Sequence, residues 1–362
     1  MQLGRRLRET RERIGLTQAA AAEKSGVGHS SLCEFENGRR EPRLVHLAAL
    51  AKCYHCDLWS FFSEAPASRV AVRWCRRPEK DAGLLENEFL QLCRWYRNLE
   101  LWSKVSAPSE LPCVRGACRP SSVRDAEELS KQVRNSLQLG NRPGALLLRV
   151  LEEDFGLKVF HLPLEVVGGA GCSRSPEFGA AVLLDAASAR RRRTIDLAHA
   201  LFHLLTWDDA DGPGRKDEID EETLAHSFAA ALLMPEEVVR TAVHRRRDVG
   251  GLTWPALFEI AREFEVPAAA LLSRFQVVFG LSNEATKNYA EECRAWTVLL
   301  EPEEEPSPSK PARFLALAVA LFNDGEISTG RFAEYLGIGR HAAMNYLPPD
   351  KPLGGGIELP LS

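Results

Sequence analysis

Two histidines four residues apart, His199 and His203, lie in a segment from Thr194 to Trp207 whose apolar residues recur at helical spacing. On a helix that interval places both imidazoles on one face, where they can share a zinc ion. A peptidase built on His-Glu-x-x-His uses the glutamate to take a proton from zinc-bound water as it attacks a peptide carbonyl. This chain has Ala200 at that position. Zinc binding survives the change, because the glutamate is not a ligand; proton transfer does not.

A third ligand must come from a later element. The segment from Glu221 to Pro235 opens with two acids and continues as an amphipathic helix, so it can carry one up to the histidines. A fourth position is then left for water, substrate or another side chain. Residues Pro108 to Pro120 form a proline-flanked loop holding Cys113 and Cys118, and a thiolate brought in by such a loop suits an open zinc position. Cys113 is the candidate for that inhibitory fourth ligand. Cys53 and Cys56 have knuckle spacing but no second pair nearby, which fits packing better than a metal.

A chain of 362 residues with 45 % hydrophobic content suffices for two or three domains with real cores. No apolar run is long enough to span a membrane and no hydrophobic leader opens the chain, which predicts a soluble cytoplasmic protein. Nine cysteines without a framework agree with reduced thiols. The net charge of −4 excludes a globally basic nucleic-acid binder. The run Arg190 to Arg193, ahead of the zinc segment, reads as a solvated loop, with a nucleic-acid contact as the alternative.

Residues 1–64 predict five short helices. Thr17 caps one helix and Gly26 ends it, the next runs to Asn37-Gly38, and Pro42 leads into another over 44–54. Ten basic against eight acidic residues give this stretch only +2. That is weak electrostatic capture for DNA. A docking or dimerisation module is therefore a close alternative.

Two resemblances follow. The N-terminal stretch resembles an Xre/Cro-type helix-turn-helix, with its Thr-Gln start, turn glycine and Glu-Asn-Gly stop in register. That implies His29, Ser30 and Ser31 at base edges and Gln18, Arg39 and Arg43 at backbone phosphates. Residues 178–235, from Phe-Gly-Ala-Ala-Val-Leu-Leu-Asp through Asp-Leu-Ala-His-x-x-x-His to Phe-Ala-Ala-Ala-Leu-Leu-Met-Pro, resemble the ImmA/IrrE metallopeptidase family. The resemblance implies Zn2+ held by His199, His203 and Glu222, with Glu221 as fallback; His226 stands where that family often has Asn.

The implied fold is α+β and mostly helical: a helix-turn-helix bundle over 1–64, a helical linker with the cysteine loop over 65–121, a zincin-like peptidase core over 122–300, and an acidic linker with a small helical module and tail over 301–362. The implied function is a regulatory endopeptidase that cleaves a partner helix-turn-helix repressor after DNA damage. Within the family, the domain order and a cysteine latch at Cys113 are similar to the CapP group of anti-phage CBASS systems. That similarity implies a CapH-like repressor as substrate and single-stranded DNA as activator. Ala200 marks either an inactivated form of such an enzyme or a natural pseudopeptidase acting as a non-catalytic regulator. Survival of the ligands beside loss of the base favours the first; an antitoxin role is a third alternative.

Overall fold

The computed structural model describes residues 2–62, 70–104, 109–112, 119–166, 168–207, 220–249, 251–300 and 309–346. It is mostly helical with one small mixed sheet, as the sequence predicts.

The N-terminal bundle comprises α1 (Gln2–Arg13), α2 (Gln18–Ser25), α3 (His29–Glu36) and α4 (Leu44–Cys53), closed by a 3-10 turn at Leu58–Phe61. Thr17 accepts from the Ala20 backbone amide and so satisfies one of the donors a helix start leaves free. Gly26 ends α2 with φ of 71°, the left-handed region that costs glycine nothing. Leu7, Leu32, Phe35, Leu50 and Tyr54 fill its core. Beneath them Arg11 forks onto both oxygens of Glu36 at 2.7 and 2.9 Å, a bidentate pair that fixes α1 against α3.

The chain then forms β1 (Arg73–Trp74) and the long helix α5 (Ala82–Trp102). Gly83 lets α5 approach the bundle: a Cβ there would lie 2.8 Å from the Ile14 carbonyl oxygen. The Asn87 amide donates to the Tyr54 carbonyl at 3.0 Å across the same junction.

Helices α6 (Val123–Ser136) and α7 (Pro143–Glu153) precede β2 (Lys158–Leu162), β3 (Ala170–Ser175) and β4 (Gly179–Asp185). The sheet order is β1-β3-β4-β2, antiparallel except for the parallel β2–β4 pair. Period-two alternation sorts its side chains between two cores. Val159, Cys172, Val182 and Leu184 face one, shared with α8 (Arg190–Leu205), α9 (Glu221–Leu233), α11 (Trp254–Glu263) and α12 (Ala268–Phe279). Phe160, Leu162, Ala181 and Leu183 face the other, covered by α5, α14 (Ala312–Asn323) and α15 (Thr329–Leu336). Helices α10 (Glu236–Arg246) and α13 (Asn283–Leu300) brace the first core, and α16 (Arg340–Ala343) with a 3-10 turn at Met344–Tyr346 ends the described chain.

Three expectations change. The last helices are no separate module beyond residue 300, because Phe314, Ala318 and Tyr335 pack with Tyr96 of α5 and Phe160 of β2 in one cluster. The linker over 65–121 is not only helical, since it supplies the edge strand β1. The arginine run is the first turn of α8, not a loop, and Arg193 is buried within it.

Candidate metal centre

The site sits where α8 and α9 cross above the sheet. Asp220 caps α9, its carboxylate accepting from the Glu222 backbone amide, and this start sets the phase that turns Glu222 toward α8. On α8, His199 and His203 are both buried, one turn apart.

Three donor groups converge. Glu222 Oε2 lies 3.0 Å from His199 Nε2, Glu222 Oε1 lies 3.2 Å from His203 Nε2, and the two Nε2 atoms are 3.2 Å apart. Ligands about 2.0–2.1 Å from a tetrahedral zinc stand about 3.3 Å from one another. The donor set and its spacing fit the ion. Zinc held there would supply Lewis-acid polarisation of a carbonyl or a more acidic water. Glu221, the fallback ligand, faces the opposite side of His203, with Oε1 3.5 Å from Nδ1 and Arg73 and Arg119 within 3.8 Å. That is the place of an orienting partner behind a metal-bound imidazole.

The charges of the cluster attract one another. Burial opposes protonation of His199, but the Cys75 thiol and Glu222 outweigh it and lift the imidazole to about 9. Burial likewise opposes charging of Glu222, and the two imidazoles still pull it down to about 2. His226, one turn beyond Glu222, sets its ring edge-on to His199 at 4.5 Å between centroids. Burial and the neighbouring imidazole keep it below the usual histidine range. Its exposed side borders a cleft of about 560 Å³ along α8, walled by Ile195, Ala230, Met234 and Pro267, with Arg191 and Arg192 on its rim.

Ala200 is fully buried, 0 % exposed, in the core under the site. Neither of two nearby acids supplies a free base in its place. Asp196 is paired with Arg192 at 3.0 Å, and Glu221 faces His203 and two arginines.

Cys113 and Cys118 lie outside the described residues. A different thiol reaches the site: Cys75, with His199 and His203, places its ligand atom so that all three lie within 4.8 Å of one another. Sequence reasoning missed it. No sequence signal marks it; its place follows from the pairing of Arg73 with Cys172 and Trp74 with Gly171, which alternation extends to put Arg73 and Cys75 on the site face and Trp74 on the other.

On α3, His29 and Ser30 are exposed and Ser31 is half-buried. Arg39 and Arg43 are exposed beyond the helix end. The Gln18 amide instead donates to Glu36 at 2.7 Å, so one of its two N–H groups serves the bundle interior before any phosphate. Cys53 and Cys56 belong to no candidate metal cluster among the described residues and pack against the bundle core. Among the described residues no helix is long and apolar enough to cross a membrane.

Residues 2–58 match the model of a helix-turn-helix domain, and residues 152–276 match that of the IrrE N-terminal-like domain, a metallopeptidase family. The second match holds His199, His203 and Glu222 but ends short of Cys75. The chain is 43 % identical over 61 residues to the HTH-type transcriptional regulator PuuR of Escherichia coli (strain K12), which is 17 % of this chain and 33 % of PuuR. It is 40 % identical over 55 residues to the HTH-type transcriptional regulator ImmR of Bacillus subtilis (strain 168), 15 % of this chain and 43 % of ImmR. The chain thus spans less than half of either regulator. It carries a helix-turn-helix domain at its N-terminus and an IrrE/ImmA-like peptidase domain behind it.

Proposed function

We propose that this chain is a zinc-binding transcriptional regulator of the repressor-cleaving class, halted at the proton-transfer step. The observation that carries the reading is the coexistence of a zinc-spaced His199, His203 and Glu222 with a buried Ala200. In the working form, with glutamate at 200, the cleft beside His199 receives an extended segment of a partner helix-turn-helix repressor. Zinc held by His199, His203 and Glu222 would polarise the peptide carbonyl and acidify a water there, and glutamate at 200 would take that water's proton. The partner in this reading is a CapH-like repressor, the activating signal is single-stranded DNA after DNA damage, and the outcome is derepression of anti-phage defence genes. The present chain binds the repressor and leaves it whole.

The second reading, a non-catalytic metal-containing regulator, draws support from Cys75, which competes with water for the metal. One experiment separates them. The zinc-loaded chain and its Ala200→Glu variant are incubated with the repressor encoded beside it, with and without single-stranded DNA, and fragments are read by mass spectrometry. Cleavage by the variant alone supports the first reading; an intact repressor in every arm supports the second.

A further inference from the structure

The helix-turn-helix geometry of the N-terminal bundle occurs a second time in this chain. Adding 311 to each residue number lays α1, α2 and the start of α3 on α14, α15 and α16 without a gap. Leu16-Thr17 falls on Ile327-Ser328, Ala22-Glu23 on Ala333-Glu334, and Gly26-Val27-Gly28 on Gly337-Ile338-Gly339. The backbone repeats as well. Ser328 accepts from the Arg331 amide as Thr17 does from that of Ala20, and each cap opens a helix of 8 residues. Gly337 ends the later helix with φ of 72°, against 71° at Gly26. The Ala21 amide donates to the Thr17 carbonyl and the Leu32 amide to that of Gly28; in the same register Phe332 donates to Ser328 and Ala343 to Gly339. Leu7 and Leu32 are fully buried, and so are their counterparts Ala318 and Ala343.

What differs is the support. Helix α4 and the 3-10 turn at Leu58–Phe61 close the first unit, whereas α5 and the sheet close the second, through Tyr96 and Phe160 against Phe314 and Trp95 against Tyr335. The face that reads DNA in such a motif, the start of the helix after the turn, stays outside this packing. Arg340, His341 and Ala342 stand at the positions of His29, Ser30 and Ser31, and all three are exposed. Arg340 reaches back over the first turn of α15, where a Cβ on Gly330 would lie 3.3 Å from its guanidinium. That places a cation beside the helix start that lies against a phosphate in this motif. The second unit also lacks an acid that the first carries, since Glu34 is matched by Asn345. Of its own acids, Glu334 pairs with Arg331 at 3.2 Å, and Asp324 and Glu326 precede the α15 cap instead of lying on α16.

We propose that α15, α16 and the turn between them form a second duplex-DNA contact, with Arg340 on a backbone phosphate and His341 at base edges. Duplex DNA is the partner because the unit that this one repeats matches a helix-turn-helix domain, and because Thr329, Arg340 and His341 put polar and basic groups where DNA would lie. Both units are mounted on α5, the first at Gly83 and Asn87 and the second at Trp95. Those points are about 12–18 Å apart along the helix axis. A duplex held by α3 therefore meets α16 as a linked site, and even a weak second contact adds to the first. The inference goes beyond the reading of the metal centre and depends on neither metal nor cleavage.

The test uses the full chain and a fluorescent 40-base-pair duplex of mixed sequence. In anisotropy titrations across a salt series, Arg340→Ala should reduce the salt slope by about 1, and by about 2 when combined with Arg39→Ala. A second measurement does not depend on losing a side chain. Photo-reactive benzoylphenylalanine is placed by substitution at His341, at His29 and, as a control, at Val298 of α13, which is 84 % exposed. Irradiation should join duplex to the chain from positions 29 and 341 and not from 298. A salt slope unmoved by Arg340→Ala overturns the proposal. So does duplex captured at 29 but not at 341, or at neither. Capture at 341 of a second copy of the chain in place of duplex overturns it in favour of protein docking. A chain that binds no metal, or an Ala200→Glu variant that cuts nothing, leaves every one of these readouts where it was.

Discussion

Replacing Glu100 by Gln strips a buried lysine of its counterion. Glu100 of α5 is 4 % exposed and meets Lys158 of β2, itself 3 % exposed, at 3.1 Å; Arg97 and Arg313 each reach it at 3.3 Å. At an effective dielectric constant of about 20, unit charges 3.1 Å apart attract by about 5 kcal/mol, a gain that desolvation of both ions largely cancels. The intact pair therefore adds little net stability. Removing one partner is another matter, since Lys158 keeps its burial and loses its counterion, at a cost of about 3–5 kcal/mol. Arg97 and Arg313 are only partly buried and turn to water at small cost. Glu100→Gln should accordingly lower unfolding free energy in urea at pH 7 by about 3 kcal/mol, the amide oxygen retaining one hydrogen bond to the lysine. The double variant Glu100→Leu with Lys158→Met should recover to within about 1 kcal/mol of the parent. A loss under about 1 kcal/mol in the single variant, or a double variant worse than the single, would refute the reasoning.

Three further outcomes follow from the geometry. Burial, helped by Glu153, lifts Glu152 from 4.5 to about 7, so the folded state holds a proton that the unfolded chain has released; stability declines as pH rises from about 4.5 to 7, and the full penalty persists above 7. Glu152→Gln should flatten that slope in denaturation series and gain about 1–2 kcal/mol at pH 8, a figure reduced for the solvent the side chain keeps. Arg39→Ala and Arg43→Ala should each weaken duplex binding evenly across sequences and reduce the salt slope by about 1 in anisotropy titrations, whereas His29→Ala should change sequence preference. Gly83→Ala drives a methyl against the Ile14 backbone and should cost about 1–3 kcal/mol at the junction, seen as faster exchange of the amides around Tyr54 and Asn87 in an otherwise protected core.

What could be read in advance divides by distance along the chain. The interval from His199 to His203 is local, and helical geometry converts it into shared direction. Glu222 sits 23 residues from His199; the acids at the start of its helix pointed to that segment, and only the family resemblance chose Glu222 over Glu221. Cys75 depends on a strand pair spanning about a hundred residues, and a two-residue strand has no periodicity to detect. β3 was invisible for a related reason: Ala-Gly-Cys-Ser-Arg-Ser is small and polar because Trp74 lies against Gly171 and Arg174 donates to the Leu204 and Leu111 carbonyls. The C-terminal helices looked detachable because an acidic, proline-rich stretch precedes them. Their apolar faces gave no sign of whether they packed on one another or on α5.

The shared core of α5, α14 and α15 sets an order of events during synthesis. Domains emerging from the ribosome fold roughly from the N-terminus, and the helix-turn-helix bundle can close on its own thirteen-residue core as soon as it appears. The face of the sheet bearing Phe160 and Leu183 cannot. It waits for Phe314 and Tyr335, more than 150 residues further on, and until then presents apolar surface to whatever is near. A nascent chain of this protein is thus half a regulator early, with its DNA-binding part formed, and gains the rest only when its last helices arrive.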